Sequence, residues 1–171
     1  MRMCVCVNSV VVVVVYVCVC AGWIAALEYI AQDLGGAPAG APLTRGDLER
    51  GYAAIAALEG PLAVALVRGL AAIPRVTVYG STDPAARVGT VAFRVDGWPP
   101  AAVAARLWDD HAVAVGDGHF YATLPIEALS LMPDGVVRAS LVHYTSHEDV
   151  ARLLAGVAAI ARVEVAPPSS A

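Results

Sequence analysis

Near the end of the chain, apolar and polar residues alternate with the period of a β-strand. The apolar positions, which share one face of the predicted strand, are Val137, Ala139 and Leu141. Arg138 and Ser140 fall on the opposite face. Ser146, followed three residues later by Asp149, forms a capping box, and the apolar positions after it have helical spacing: Val150, Leu153, Leu154 and Val157. The pattern predicts a strand that presents an arginine, then a capped helix packed on a sheet.

Two further helices are predicted in the first half of the chain. Apolar residues recur at helical spacing over residues 24–34. A second helix, capped by Thr44 or Asp47, continues its apolar stripe to Leu70. We expect a kink or a break in this helix at Gly60-Pro61, because proline lacks a backbone N–H and its ring crowds the preceding turn.

The rest of the chain alternates between short strands and helices. The other predicted strands are Val76–Gly80, Thr90–Val95 and Ala112–Val115. The predicted helices run from Pro99 or Pro100 through Asp110 and over Pro125–Met132, with a glycine-flanked loop at Gly116–Tyr121 between them. The element order is helix, helix, strand, strand, helix, strand, short helix, strand, helix. This order predicts an α+β sandwich, with a small mixed or antiparallel sheet that helices cover on one face.

Residues 1–22 differ from the rest of the chain, and several interpretations of them stay open. This low-complexity segment is rich in valine and contains all four cysteines: Cys4, Cys6, Cys18 and Cys20. The uncharged run Met3–Leu27 is long enough to span a bilayer, and its start also resembles a signal peptide. A translated GT repeat gives the same alternation of valine and cysteine, so a gene-model artefact is a third interpretation and a buried strand a fourth. The predicted domain follows at residues 23–166, with a frayed tail at 167–171.

Composition and charge exclude several classes of function. The chain of 171 residues is 58% hydrophobic and 15% charged, which is too apolar for a disordered protein. Its net charge is −4 at pH 7 and it has no basic run, so nucleic-acid binding lacks its electrostatic footprint. No histidine lies near the cysteines, and no metal site is predicted. A membrane is expected as a partner only if residues 3–27 form a real anchor.

The end of the chain resembles the end of class V aminotransferases and cysteine desulfurases, which are pyridoxal-phosphate enzymes. The matching positions are Arg138, Ser140, Tyr144, Glu148 and Asp149. Residues 76–80 also match a Val-x-Val-Tyr-Gly strand of that family. The resemblance covers roughly residues 23–163 and implies the small C-terminal domain of a fold-type I enzyme. We expect a C-terminal fragment, since the large cofactor-binding domain precedes this part in the family and is absent here.

The resemblance implies a substrate site on the predicted sheet. In the family, the arginine at the place of Arg138 binds the α-carboxylate of the substrate, a task that suits the planar donor fork of a guanidinium. The loop Gly118-His119-Phe120-Tyr121-Ala122 resembles the Gly-His-His-Cys-Ala loop of desulfurases, but Tyr121 stands at the place of the persulfide-forming cysteine. We therefore predict Arg138, His119 and Tyr121 as substrate-binding residues, with no catalytic residue and no desulfurase chemistry by this route.

The basic residues limit what this chain does alone. All 11 of them are arginines, so the chain has no lysine to hold pyridoxal phosphate as a Schiff base. We predict part of an enzyme for amino-acid-type substrates that binds no cofactor covalently and is inactive by itself. The resemblance also implies a homodimer and, if residues 1–22 are an artefact, a cytoplasmic or organellar location. The alternative function is a non-catalytic α/β interaction module, anchored to a membrane if its first segment is real.

Overall fold

The computed structural model describes residues 18–81, 83 and 86–163 of the chain. The chain divides into two compact units, Met1–Ala56 and Ala57–Ala171. The predictions for most of the valine-rich first segment and for the C-terminal tail lie outside the described residues. The domain boundary at residue 23 stays a prediction.

The first unit contains α1 and the start of α2. Helix α1 is α-helical over residues 18–28 and continues as a π-helix over Tyr29–Leu34. Thr44 caps α2 (Arg45–Ala72), since its Oγ1 accepts the Asp47 N–H at 3.3 Å and the Asp47 carboxylate accepts the Thr44 N–H at 2.8 Å. The hydrogen bonds from Thr44 hold the pKa of the Asp47 carboxyl below its ordinary value. The predicted cap is confirmed.

A kink or a break was expected at Gly60-Pro61. Helix α2 runs through Pro61, so the break is wrong, and the kink stays a prediction. The part of the helix that follows is buried in the core through one face: Leu62, Ala63, Leu66, Val67 and Leu70. An internal proline costs a helix about 3 kcal/mol, whereas full burial of each leucine or valine contributes about 1.5–3 kcal/mol. Packing therefore outweighs the lost backbone hydrogen bond. By length and hydropathy alone, α2 is the one described helix that reaches the criteria for a membrane span.

The second unit is built around one antiparallel sheet of four strands. These strands are β1 (Val76–Tyr79), β2 (Thr90–Val95), β3 (Gly116–Gly118) and β4 (Val136–Ser140), in the spatial order β1-β2-β4-β3. The helices between and after them are α3 (Pro100–His111), α4 (Thr123–Ala128) and α5 (His147–Arg162). Side chains from the end of α2, from α3 and from α5 pack with one face of the sheet around Phe93. This architecture confirms the predicted α+β fold, with the end of α2, α3 and α5 packed on one face of the sheet.

The strand predicted at Ala112–Val115 is wrong, because these residues serve to end α3. Ala112 adopts a left-handed φ of 53°, and its N–H bonds the Trp108 carbonyl oxygen at 3.0 Å. Strand pairing begins only at Gly116, which lies opposite Arg138 of β4. The edge strand is therefore formed by glycine-flanked residues that were predicted as a loop.

The short helix predicted over Pro125–Met132 is displaced towards the N-terminus. Helix α4 ends at Ala128, and Ser130 then adopts a left-handed φ of 56°. The Leu131 N–H bonds the Ile126 carbonyl oxygen at 2.9 Å and closes the turn. This turn places Leu131 beside Ile126 in a small second cluster on the other face of the sheet.

Strand β4 and helix α5 match the pattern from which they were predicted. Burial alternates along β4, where Val137 is buried and Arg138 lies on the exposed face. Ser146 caps α5: its Oγ accepts the Asp149 N–H at 3.1 Å, and the Asp149 carboxylate accepts the Ser146 N–H at 2.9 Å. The hydrogen bonds from Ser146 lower the pKa of the Asp149 carboxyl. The predicted capping box is confirmed.

Candidate functional site

Arg138 lies in the middle of β4, on the face of the sheet opposite the main core. Its cross-strand neighbours are Ala92 on β2 and Gly116 on β3, both of which have little or no side chain. The guanidinium carbon lies 4.1 Å from the centroid of the Phe120 ring, a cation–π contact. The small neighbours leave space above the sheet, and the ring holds the guanidinium beside that space.

Gly116 makes the Phe120 contact sterically possible. A Cβ atom at Gly116 would lie 3.0 Å from Cε1 of the Phe120 ring, which is closer than ordinary van der Waals contact. The loop after β3 folds back so that the ring covers the strand residue that pairs with Arg138. A glycine at this position therefore determines where the aromatic ring, and with it the guanidinium, can lie.

The loop that follows β3 turns through several left-handed residues and separates its aromatic side chains. Gly118, Phe120 and Tyr121 have φ values of 112°, 51° and 59°, a conformation that non-glycine residues seldom adopt. Phe120 faces Arg138, whereas the Tyr121 side chain is 96% exposed. His119 is half-buried, and its Nδ1 accepts the Tyr121 N–H at 3.1 Å. This bond leaves the proton of a neutral His119 ring on Nε2.

A cavity of about 690 Å³ lies on this face of the sheet. Its described lining combines residues from the loop before β2, from the loop after β3 and from the strands: Tyr79, Ser81, Arg87, Thr90, Ala92, His119, Phe120, Ile126, Val136 and Arg138. The structure thus brings together two of the three predicted site residues, Arg138 and His119. Tyr121 is outside the described lining.

The described part of the lining carries positive charge without a compensating carboxylate. It includes Arg87 and Arg138 but no aspartate or glutamate. The ion pairs of the described chain involve other arginines, at positions 45, 50, 94, 106 and 152. The cavity therefore presents two guanidinium groups to solvent in a protein whose net charge is −4.

Sequence reasoning missed two residues of this site, Arg87 and Phe120. Arg87 lies at the end of a stretch that reads as a turn, and nothing in its local pattern indicates a role. Its Nη1 donates to the Ser81 carbonyl oxygen at 2.7 Å and its Nη2 to the Thr90 carbonyl oxygen at 3.1 Å. The Nε–H is buried, with no hydrogen-bond partner among the described residues. Backbone carbonyls are present at every position, so a sequence pattern does not reveal which of them a side chain binds.

Two further histidines are not part of the described cavity lining. His111 ends α3 and His147 begins α5. Among the described residues, no group of three or more histidine, cysteine, aspartate or glutamate side chains is arranged to hold a metal ion.

The sequence of this chain matches the model of a known protein family. A profile described as "Aminotransferase class-V" matches residues 48–153, more than half of the chain. The chain belongs to the class-V aminotransferase family. The matched range includes the whole described lining of the cavity, and the family resemblance seen in the sequence is therefore confirmed.

Two curated relatives illustrate how much of a whole protein this chain represents. It is 39% identical over 104 residues to "Aminotransferase-like protein FGM3" from Gibberella zeae, covering 59% of this chain and 26% of that protein. It is 38% identical over 94 residues to a cysteine desulfurase from Salmonella agona, covering 55% of this chain and 22% of that protein. The chain thus spans about a quarter of the length of these curated relatives.

Solved structures show the same fold. An apo cysteine desulfurase from Thermococcus onnurineus NA1 superposes with a TM-score of 0.58 at 30% identity, covering 71% of this chain and 32% of the other. The cysteine desulfurase CsdA from Escherichia coli gives a TM-score of 0.52 at 19% identity, covering 69% and 31% respectively. The α+β unit described above is therefore a fold that cysteine desulfurases contain.

Class V aminotransferases depend on pyridoxal phosphate, and this chain does not fit covalent attachment of that cofactor. The attachment requires a side-chain amine that loses its proton, and the chain contains no lysine. Arginine stays protonated and cannot replace it. A side-chain amine that holds the cofactor therefore has to come from outside this chain.

Proposed function

We propose that this chain is the C-terminal part of a pyridoxal-phosphate-dependent class V enzyme that acts on an amino-acid-type substrate, with Arg138 receiving the substrate carboxylate. One observation carries the proposal. The Arg138 guanidinium stacks on Phe120 in a cavity that His119 also lines, yet it has no carboxylate partner among the described residues. A guanidinium held by an aromatic face and lacking a counter-ion suits a carboxylate, because its N–H fork can pair with both oxygens.

His119 contributes a second donor in this proposal. Its Nδ1 is occupied by the Tyr121 N–H, so the neutral ring offers the Nε2–H to a bound anion. Tyr121 stays a predicted substrate contact. Its side chain is exposed, so it would reach a bound substrate only from the edge of the loop after β3. The chain then binds and orients a substrate, and none of its residues has a catalytic role.

The resemblance supports two wider proposals about the intact enzyme. We propose that the intact enzyme is a homodimer, and that its lysine-bearing large domain supplies the aldehyde cofactor, which withdraws electrons from the bound amino acid. Desulfurase chemistry through the loop after β3 lacks support, since Tyr121 has no sulfur to accept the sulfur atom of a substrate.

The purified chain should not form a side-chain adduct with pyridoxal phosphate. After incubation with the cofactor and borohydride, mass spectrometry of peptides should find reduced adduct at the α-amino group only, because no lysine is present. Turnover of an amino acid should be absent until a lysine-bearing large domain of the family is added. Turnover by this chain alone would contradict the proposal.

Replacement of Arg138 should weaken binding of an amino acid. Charge-assisted hydrogen bonds contribute about 1.5–3 kcal/mol, and Arg138 lies at an exposed position, so we expect the lower end of this range and about a tenfold loss of affinity. The affinity for L-glutamine would be measured by NMR titration of 15N-labelled protein, for the unchanged chain and for Arg138→Gln. Arg138→Lys is the matched control, because it keeps the charge without the planar fork and should bind with intermediate affinity.

The same titration can show that Arg138 does not bind the carboxylate. Equal L-glutamine affinity in the unchanged chain and in Arg138→Gln would show that the carboxylate binds elsewhere. Chemical-shift changes confined to residues outside the cavity lining would lead to the same conclusion.

A further inference from the structure

We propose that Arg87 is a second anion-binding residue of the Arg138 cavity, and that it selects an amino acid whose side chain ends in its own anionic group. This inference rests on the proposed function, since it takes Arg138 as the receptor for the α-carboxylate. The Arg87 guanidinium would then bind the distal carboxylate, or a sulfonate or sulfinate in its place. The substrate class becomes that of acidic amino acids.

The register of the sheet sets the spacing of the backbone positions beside the two arginines. Arg87 donates to the Thr90 carbonyl oxygen. Two residues further along the same strand is Ala92, which pairs across the sheet with Arg138. Two residues of a strand span about 7 Å. Both side chains line the same cavity. A dianion of four or five carbon atoms is comparable in length to this spacing.

Some N–H groups of the Arg87 guanidinium remain available to a ligand. A guanidinium has five N–H groups. Two of them bind the carbonyl oxygens of Ser81 and Thr90, and the Nε–H is buried. One N–H on each terminal nitrogen is not used by the described protein. The carbonyl bonds fix the plane of the group, so less side-chain entropy is lost when an anion binds.

The charges and the floor of the cavity favour a molecule with two anionic ends. A single carboxylate on Arg138 leaves the Arg87 charge unpaired in a described lining that has no acidic residue. The lining also includes apolar side chains, among them Ala92, Ile126 and Val136. A hydrocarbon segment with an anion at each end matches a lining that combines two guanidinium groups with apolar side chains.

The test compares L-glutamate with L-glutamine, which share the α-carboxylate and differ only in the distal charge. By NMR titration of the full chain, glutamate should bind about tenfold more tightly than glutamine, the gain typical of one added charge-assisted contact. In Arg87→Gln this ratio should fall to about one, because only glutamate loses a charged partner. In the unchanged protein, the Arg87 Nε–Hε cross-peak should shift with glutamate and stay in place with glutamine.

Each alternative gives a different result. If Arg87 only ties Ser81 to Thr90, Arg87→Gln will weaken both ligands equally and keep their ratio, and that result would overturn the inference. If Arg87→Gln does not fold, the Nε–Hε cross-peak decides: the same shift with both ligands, or with neither, would overturn the inference. If glutamine binds through Arg138 and glutamate binds no more tightly, the proposed function stands and only the selectivity fails. If neither amino acid binds, both proposals fail.

Discussion

Phe93→Ala should reduce the free energy of unfolding by about 4 kcal/mol, the range measured when a buried phenylalanine is truncated and its cavity is not refilled. Phe93 is fully buried at the centre of β2, between Val78 of β1 and Val137 of β4. It packs in the main cluster with side chains of α2, α3 and α5. Because three helices and the sheet all contact this cluster, local collapse around the missing ring is limited. Urea denaturation followed by far-UV circular dichroism measures the change.

Tyr121→Ala is the matched control for loss of an aromatic ring. The Tyr121 side chain is 96% exposed, so its removal should change the free energy of unfolding by less than about 0.5 kcal/mol. Similar losses in the two variants would contradict the assignment of faces in β2 and the position of the main core. Tyr121→Ala also tests the predicted rim contact, since its affinity for L-glutamine can be compared with that of the unchanged chain.

The elements that sequence patterns predicted well are those defined by near neighbours along the chain. The Ser146–Asp149 capping box involves two residues three positions apart, and both of its hydrogen bonds are formed. The alternation along β4 also predicts which face carries Arg138. Local sequence determines caps and faces because side-chain direction follows directly from backbone period.

The elements that were missed depend on contacts between distant residues. Pro61 stays inside α2 because the residues after it are buried in a core formed with elements that come later in the chain. Gly116, rather than Ala112, begins the edge strand because it is the residue that lies opposite Arg138. Local propensity indicates neither outcome, since strand pairing and helix packing are fixed by the tertiary structure.

Some residues of the site were also predicted from the sequence, and others were missed. Arg138 and His119 were identified through the family resemblance, and both line the cavity. Phe120 and Tyr121 are adjacent, and successive left-handed φ values decide which of them faces Arg138. Arg87 is held only by backbone carbonyl oxygens, so no partner side chain indicated it in the sequence. The loop residues that line this cavity are therefore the part of the site that local sequence does not indicate.

Gly135→Ala should destabilise the protein by about 3 kcal/mol and disturb the cavity as well. Gly135 has a φ of 73°, which costs an L-residue about 1–2 kcal/mol. An added Cβ would overlap the carbonyl group of Gly118 and lie 2.6 Å from the His119 nitrogen. These contacts are with backbone atoms, so relief requires movement of β3 or of the loop after it, at about 1–3 kcal/mol. The measurements are the urea midpoint and the titration with L-glutamine.

Gly40→Ala separates the two contributions to this effect. Gly40 has a φ of 74°, almost the same as that of Gly135, but a Cβ there meets no atom within 4 Å. It should show only the backbone cost of about 1–2 kcal/mol and leave ligand affinity unchanged. Equal destabilisation in the two variants would mean that β4 does not approach the loop after β3 as closely as described. A larger effect of Gly135→Ala, accompanied by weaker binding of L-glutamine, would tie the positions of Phe120 and His119 to the close packing of Gly135 on Gly118.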